Sequence, residues 1–379
     1  MSYKSGIGQL SAAPKISPIV IRLGRLGDTI LLSTVLSTLH ARYGNACRLI
    51  SSAPWSEEVY SNHPDVKEVW GVRRHAPFLL HPDWWRALWM LMRSRPAPVY
   101  VCEPEPRQLS RIKWLLTLSR TDVAHCAFLT DFKELEILHW VDRLHQFAQK
   151  TPDAFSCGDS ARPSCATPTA PRLFASDSDR VDLNAWLKEQ GWDNKPLILV
   201  QPGNSRTMRD RGVPPGRIDS KGWPLARWRD LIARVHASEP DALIVLCGAG
   251  AERPLLEKIR SAAHVDPVVI ATPRLRLLVS LFEVADGMIS VDSGPAHVAA
   301  AVSLPCLVLF GEYPQHLWLP RARAGAVVMG VGGPPMSTRL ESVSVDVVFQ
   351  AWCELRSRSA MARQPSKGIS RATQHSIGL

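Results

Sequence analysis

The chain has 379 residues, 45% of them hydrophobic, and 45 Lys and Arg against 35 Asp and Glu, for a formal charge of +10. That length holds more core than one domain needs and predicts two, while the positive balance favours anionic partners such as nucleotides, phosphorylated lipids or a membrane surface. No run approaches the roughly 20 apolar residues of a bilayer span, the polar first 15 residues lack the pattern of a signal peptide, and eight cysteines without a C-x-x-C predict reduced thiols in a cytoplasmic protein.

Residues 1–17 mix Ser, Gly, Ala and Pro without a period and read as a loose arm. An apolar run at 19–23 predicts a strand, which passes through Arg22-Leu-Gly-Arg-Leu-Gly-Asp28 into a helix reaching residue 43, where Ile30, Leu31, Val35, Leu36 and Leu39 recur at helical spacing. The alternation continues with strands at 47–51, 66–72, 99–102 and 123–128 and helices at 56–61, 83–93, 108–118 and 133–148. Strands alternating with helices predict a mostly parallel, doubly wound α/β sheet, so 18–150 form a first domain. The helix at 83–93 carries Trp85, Leu88, Trp89 and Met92 beside Arg73, Arg74, Arg86, Arg93 and Arg95. That pattern suits a core helix, and it also suits an interfacial helix on anionic lipid.

Residues 151–172, rich in Pro, Ser, Cys and Asp, predict a linker. A second domain at 173–343 follows, with helices at 178–190, 224–238, 251–262, 275–285 and 294–302 and strands at 197–201, 242–247, 267–271, 287–291 and 306–310. A terminal helix at 344–357 precedes a basic, disordered tail at 358–379, in which Arg358, Arg363, Lys367 and Arg371 stand without an acidic residue. Two doubly wound domains in tandem face each other across a cleft at the carboxyl ends of their strands.

The chemistry concentrates in three turns. In Ile289-Ser-Val-Asp-Ser-Gly-Pro-Ala-His297, a strand runs into a helix through Asp292, Ser293 and Gly294, so helix N–H groups and a glycine offer a diphosphate cradle to which His297 adds a donor. An ordinary helix cap by Asp292 or Ser293, with His297 on the surface, is the competing reading. The turn of Arg22, Gly24, Arg25 and Gly27 ends at Asp28, either a general base facing the cleft or an acid that complements the helix dipole. The third is Gln201-Pro-Gly-Asn-Ser205, followed by a long polar insertion (206–220) and Lys221, whose ammonium is either a solvated loop charge or a partner for a leaving diphosphate.

Other patterns point away from cofactors. Gly248-Ala-Gly-Ala-Glu-Arg253 opens like a dinucleotide fingerprint but has Arg253 at the third glycine position. Asp177-Ser-Asp179 has D-x-D form yet lies at a predicted helix start, and no His/Cys cluster has metal-ligand spacing. No cofactor and no bound metal are expected.

Four phrases in order resemble the lipopolysaccharide heptosyltransferases of glycosyltransferase family 9: Arg22-Leu-Gly-Arg-Leu-Gly-Asp-Thr-Ile-Leu-Leu-Ser33, Asn62-His-Pro-Asp-Val-Lys-Glu-Val69, Lys221-Gly-Trp-Pro-Leu-Ala-Arg-Trp228, and Val291-Asp-Ser-Gly-Pro-Ala-His-Val-Ala-Ala-Ala301 with Leu309-Phe-Gly311. The resemblance covers roughly residues 18–320. It implies the GT-B fold, two Rossmann-like domains with the acceptor on the first and ADP-heptose on the second, and an inverting transfer of heptose to the lipopolysaccharide inner core. By resemblance Asp28 is the catalytic base, and Arg22, Gly24, Arg25 and Gly27 form the acceptor-side turn. Asp292, Ser293, Gly294 and His297 then match the donor diphosphate site, Asn204, Ser205 and Lys221 match further diphosphate contacts, and Glu252 matches the acidic residue on the nucleoside side. The partners implied are a nucleotide-sugar donor and a lipid-linked glycan acceptor, with peripheral contact at the cytoplasmic face of the inner membrane and no nucleic acid. The chain departs from the family's pattern in the long interval from Ser205 to Lys221 and in Glu312-Tyr313-Pro314, where Pro-Thr-Asp-Pro is usual. A GT-B transferase using another nucleotide sugar on another cell-envelope glycan, and a non-catalytic binding protein on the same scaffold, are the alternatives.

Overall fold

The computed structural model describes residues 16–156, 170–207, 222–271, 274–323 and 325–363. Most of the N-terminal arm, residues 157–169 of the predicted linker, most of the 206–220 insertion, Lys221 and residues 364–379 of the tail lie outside them.

The first half runs β1 (Ile19–Arg22), α1 (Leu26–Tyr43), β2 (Cys47–Ser52), α2 (Trp55–Tyr60), β3 (Val66–Val72), α3 (Pro82–Arg93), β4 (Val99–Val101), α4 (Pro106–Leu118), β5 (Cys126–Phe128) and α5 (Trp140–Ala148). The second runs α6 (Asp177–Glu189), β6 (Leu197–Gln201), α7 (Leu225–Ser238), β7 (Leu243–Gly248), α8 (Arg253–Ala262), β8 (Val268–Ala271), α9 (Leu275–Val284), β9 (Gly287–Val291), α10 (Gly294–Ala301), β10 (Cys306–Phe310), α11 (Gln315–Trp318), β11 (Val328–Gly332) and α12 (Val345–Arg363). The strands form two parallel sheets, ordered β3-β2-β1-β4-β5 and β11-β10-β9-β6-β7-β8. In each the order reverses beside the first strand, so a crevice opens past the carboxyl ends of β1 and β4, and of β6 and β9.

Strand alternation assigns the layers. Val20, Leu49 and Tyr100 turn to one face with α1 and α5, while Ile19, Ile21, Ile50 and Val101 turn to the other, under α3 and α4. In the second sheet Leu199, Val245, Met288 and Val308 join the layer of α1 and α5, and Ile198, Leu246, Ile289 and Leu309 pack under α7, α8 and α12. One continuous core therefore runs between the sheets, with α1 packed on α10.

Several expected elements differ. The helix expected at 133–148 begins only at Trp140, after single 3-10 turns at Leu129–Asp131 and Lys133–Leu135, because the His139 ring accepts the Val141 N–H and starts a new helix there. The strand expected from 123 begins at Cys126, since Asp122 caps a turn over Val123–His125 by accepting from the Ala124 N–H. Strand β11 and helix α11 were not anticipated. The last helix runs through Arg358 to Arg363, past the expected end at 357.

Candidate functional site

Helix α1 begins three residues earlier than its apolar period predicts, which places Asp28 in its first turn. There Asp28 Oδ2 accepts the Arg25 N–H at 2.8 Å, and Oδ1 pairs with Arg22 Nη2 at 2.6 Å. Arg22 is buried, donates to the Cys102 carbonyl and lies 5.2 Å over the Trp140 ring. Burial alone would raise the Asp28 pKa, but Arg22, the Arg25 N–H and nearby His297 together hold it below the usual carboxylate range. Asp28 is therefore ionised at neutral pH, with its side chain one-fifth exposed. Gly24 makes the room: a Cβ there would lie 2.5 Å from Asp28 Cβ and 2.8 Å from Oδ2.

On the second sheet, β9 ends at Val291, and α10 starts at Gly294 followed by Pro295, which has no N–H to leave unsatisfied. Ser293 occupies the cap position, yet its hydroxyl makes no bond to the helix and lies 3.2 Å from Ser290 Oγ. The ordinary serine-cap reading therefore does not hold for Ser293. His297, one turn in, is buried rather than on the surface.

The two turns meet. A Cβ on Gly27 would lie 3.0 Å from His297 Cδ2, and one on Gly294 would lie 3.0 Å from Leu26 Cβ and 3.2 Å from the Gly27 nitrogen. Two helix N-termini thus converge with glycines at the closest approach, and two positive dipole ends side by side favour an anion between or beside them. Arg25 reaches across to donate to Ser205 Oγ at 3.1 Å, which brings the third turn to the same place.

That third turn is built on buried polar groups. Asn204 Oδ1 accepts the Arg206 N–H at 2.8 Å, and its Nδ2 is buried without a hydrogen-bond partner among the described residues. Glu252 accepts from Thr207 Oγ1 at 2.8 Å and from the Ala249 N–H at 2.9 Å, with Gln201 Nε2 at 3.4 Å. Burial pushes its pKa up against these bonds. A Cβ at Gly203 would fall 1.9 Å from Glu252 Oε1, so glycine lets the loop close over the carboxylate.

Residues not anticipated complete the surroundings. Glu103, at the carboxyl end of β4 beside the reversal of strand order, is buried and accepts the N–H groups of Leu23 and Glu105. Its position just past an apolar strand was the available signal. Arg321 grips Asp142 with two bonds of 2.6 and 2.5 Å, and His139 Nε2 lies 2.8 Å from the Leu319 carbonyl, both joining the halves beside the cleft. Arg206 pairs with Glu312, the acidic residue of the divergent Glu312-Tyr313-Pro314 segment. Asp179 is bonded to Ser176 and Arg276 at the start of α6, and no group of three or more His, Cys, Asp or Glu is arranged to hold a metal among the described residues.

Residues 179–339 match the model of glycosyltransferase family 9 (heptosyltransferase). The chain is 28% identical over 109 residues to lipopolysaccharide heptosyltransferase 3 of Escherichia coli, a match spanning 28% of this chain and 32% of that protein, about a third of the relative's length. In fold it resembles E. coli ADP-heptose lipopolysaccharide heptosyltransferase II, with a TM-score of 0.67 at 17% identity over 91% of this chain and 100% of that one. It also resembles E. coli heptosyltransferase WaaC, solved with ADP, with a TM-score of 0.62 at 15% identity over 90% and 100% of the two chains. The two parallel sheets are those of the GT-B heptosyltransferase structures.

Proposed function

We propose that the chain, whose residues 179–339 match the model of glycosyltransferase family 9, is an inverting transferase that moves a heptose from ADP-heptose to the lipopolysaccharide inner core. The observation that carries the reading is the convergence of the α1 and α10 N-termini at Gly27 and Gly294, with the ionised Asp28 on one side and buried His297 on the other.

Asp28 takes the proton of an acceptor hydroxyl, whose oxygen attacks the anomeric carbon as the bond to the diphosphate breaks. The charge that develops on the leaving ADP falls to the α10 N–H groups, Ser293, Gly294 and His297, with Asn204 and Ser205 from the third turn and, on the family resemblance alone, Lys221. Asp292 stands at the head of the same turn, and Glu252 holds the 201–207 loop on the nucleoside side. Attack opposite the leaving group inverts the centre. Helix ends and cations take the place of a metal ion in this account. No helix among the described residues is long and apolar enough to cross a membrane. In this reading the lipid-linked acceptor is met by peripheral contact at the cytoplasmic face of the inner membrane.

The test is a panel of nucleotide sugars screened by thermal stabilisation and then by transfer to lipopolysaccharide core acceptor, since a ligand of the folded state raises the melting temperature by mass action. ADP-heptose is expected to give the largest shift and a heptosylated product. Stabilisation by a different nucleotide sugar alone, or binding without transfer, would overturn the assignment.

A further inference from the structure

Helix α3 has two unlike faces. Trp84, Leu88 and Leu91 lie in the core, whereas Trp85, Trp89 and Met92, at the same spacing one residue on, are 55%, 54% and 48% exposed. Helix α4, packed beside it, adds Trp114 at 63%. Single exposed apolar side chains are ordinary, but three exposed indoles on two helices that pack together are more than scattered surface residues supply.

The surrounding charge is mostly basic, although Arg93 pairs with Glu68 of β3. Residues 73–120 hold nine Lys and Arg against three acids, and of those acids Asp83 and Glu103 are buried while Glu105 accepts the Arg107 and Gln108 N–H groups at the start of α4. Arg93 lies 4.3 Å over the Trp89 ring, and Trp85 Nε1 donates to the Leu79 carbonyl at 2.8 Å, so these indoles are held in place with a face or edge left outward. A second copy of the chain docking here about a two-fold axis would set this basic face against itself. An anionic bilayer complements it instead: indoles suit the headgroup layer and arginines suit lipid phosphates.

We propose that the exposed face of α3 and α4 docks the protein on an anionic lipid bilayer. The face adjoins the site, because Arg74 Nη1 donates to the Leu23 carbonyl at 3.3 Å and Gln108 Nε2 donates to the Arg74 carbonyl at 3.4 Å, tying the loop before α3 and the first turn of α4 to the strand end that leads to Asp28. A lipid-borne acceptor held in that bilayer enters beside Asp28. The purpose of the docking rests on the transferase reading, but the binding itself does not.

The test uses the full chain and vesicles of phosphatidylcholine alone or with about one-third phosphatidylglycerol, without donor or acceptor. The wild type is expected to sediment with the anionic vesicles only, and brominated lipid chains are expected to quench part of its tryptophan fluorescence. The exposed-site variant Trp85→Ser, Trp89→Ser, Trp114→Ser should lose at least about tenfold in partitioning and all of that quenching, with an unchanged circular dichroism spectrum. Failure of the wild type to bind anionic vesicles would overturn the proposal. So would full retention of binding by the triple variant, which would assign it to another basic segment, or a wild-type dimer that the three substitutions dissociate. Absence of transfer with vesicle binding intact would count against the transferase reading alone.

Discussion

Gly27 of α1 and Gly294 of α10, helices that follow strands of different sheets, face each other so closely that a Cβ on Gly294 would stand 3.2 Å from the Gly27 nitrogen. This approach aligns the starts of α1 and α10, and a side chain at 294 would press on Leu26 and the Gly27 backbone. Gly294→Val is expected to weaken ADP binding by more than about tenfold, by calorimetric titration, with the circular dichroism spectrum retained. Unchanged affinity in the folded variant would move the diphosphate away from this turn.

His297 is buried against Gly27 at the same junction. If it donates to the diphosphate, His297→Ala should cost about 1.5–3 kcal/mol, the range of a hydrogen bond to a charged group. Titration of ADP against this variant checks it, and a loss below about 0.5 kcal/mol would leave His297 a packing role only.

Gly203 lets the third turn close on Glu252. Gly203→Ala brings a Cβ to 1.9 Å from the buried Glu252 Oε1, which must leave its bond to Thr207 Oγ1. A stability loss of about 1–3 kcal/mol is expected in chemical denaturation, the cost of an unsatisfied buried polar group. A neutral outcome would show that the loop moves away freely.

His139 gives the protein an acid-sensitive joint. Its Nδ1 accepts the Val141 N–H, so Nε2 carries the proton that reaches the Leu319 carbonyl. Burial, opposed by that bond and reinforced by Arg321, lowers its pKa to about 4. A histidine with a depressed folded pKa stabilises the protein fully above its unfolded value of about 6.5, and the contribution is lost as the pH falls toward the folded one. The melting temperature of the wild type should therefore drop more steeply across that window than that of His139→Asn; parallel profiles would remove His139 as the cause.

Much of this was legible in the sequence, for identifiable reasons. Ile289–His297 and Arg22–Asp28 each join an apolar strand to a periodic helix through glycine, and local pattern suffices to place such turns at strand ends. What pattern could not show was that Gly27 meets Gly294, because that contact depends on how the sheets pack. Nor could pattern choose for Ser293 between a cap and an anion contact: its type and position suit both, and in the structure its hydroxyl leaves the helix start and lies beside that of Ser290. The helix expected from 133 was interrupted by a side-chain cap at His139, a residue type that seldom signals a helix start. On α3 the spacing admitted both a core and an interfacial reading; the structure buries Trp84 and Leu88 and leaves Trp85, Trp89 and Met92 exposed.

The central claim is that Asp28, held ionised by Arg22, removes the acceptor proton. Steady-state transfer from ADP-heptose to core acceptor by Asp28→Asn tests it most directly, with ADP affinity and melting temperature as controls for the altered Arg22 environment. The account predicts a loss of at least about 10²-fold in turnover with ADP binding within a few-fold of wild type. It also predicts an acid limb of the wild-type pH profile below the ordinary aspartate value of about 3.9, because the folded pKa is lowered. Near-normal turnover by the folded Asn variant would contradict it and leave Asp28 as a brace for the start of α1.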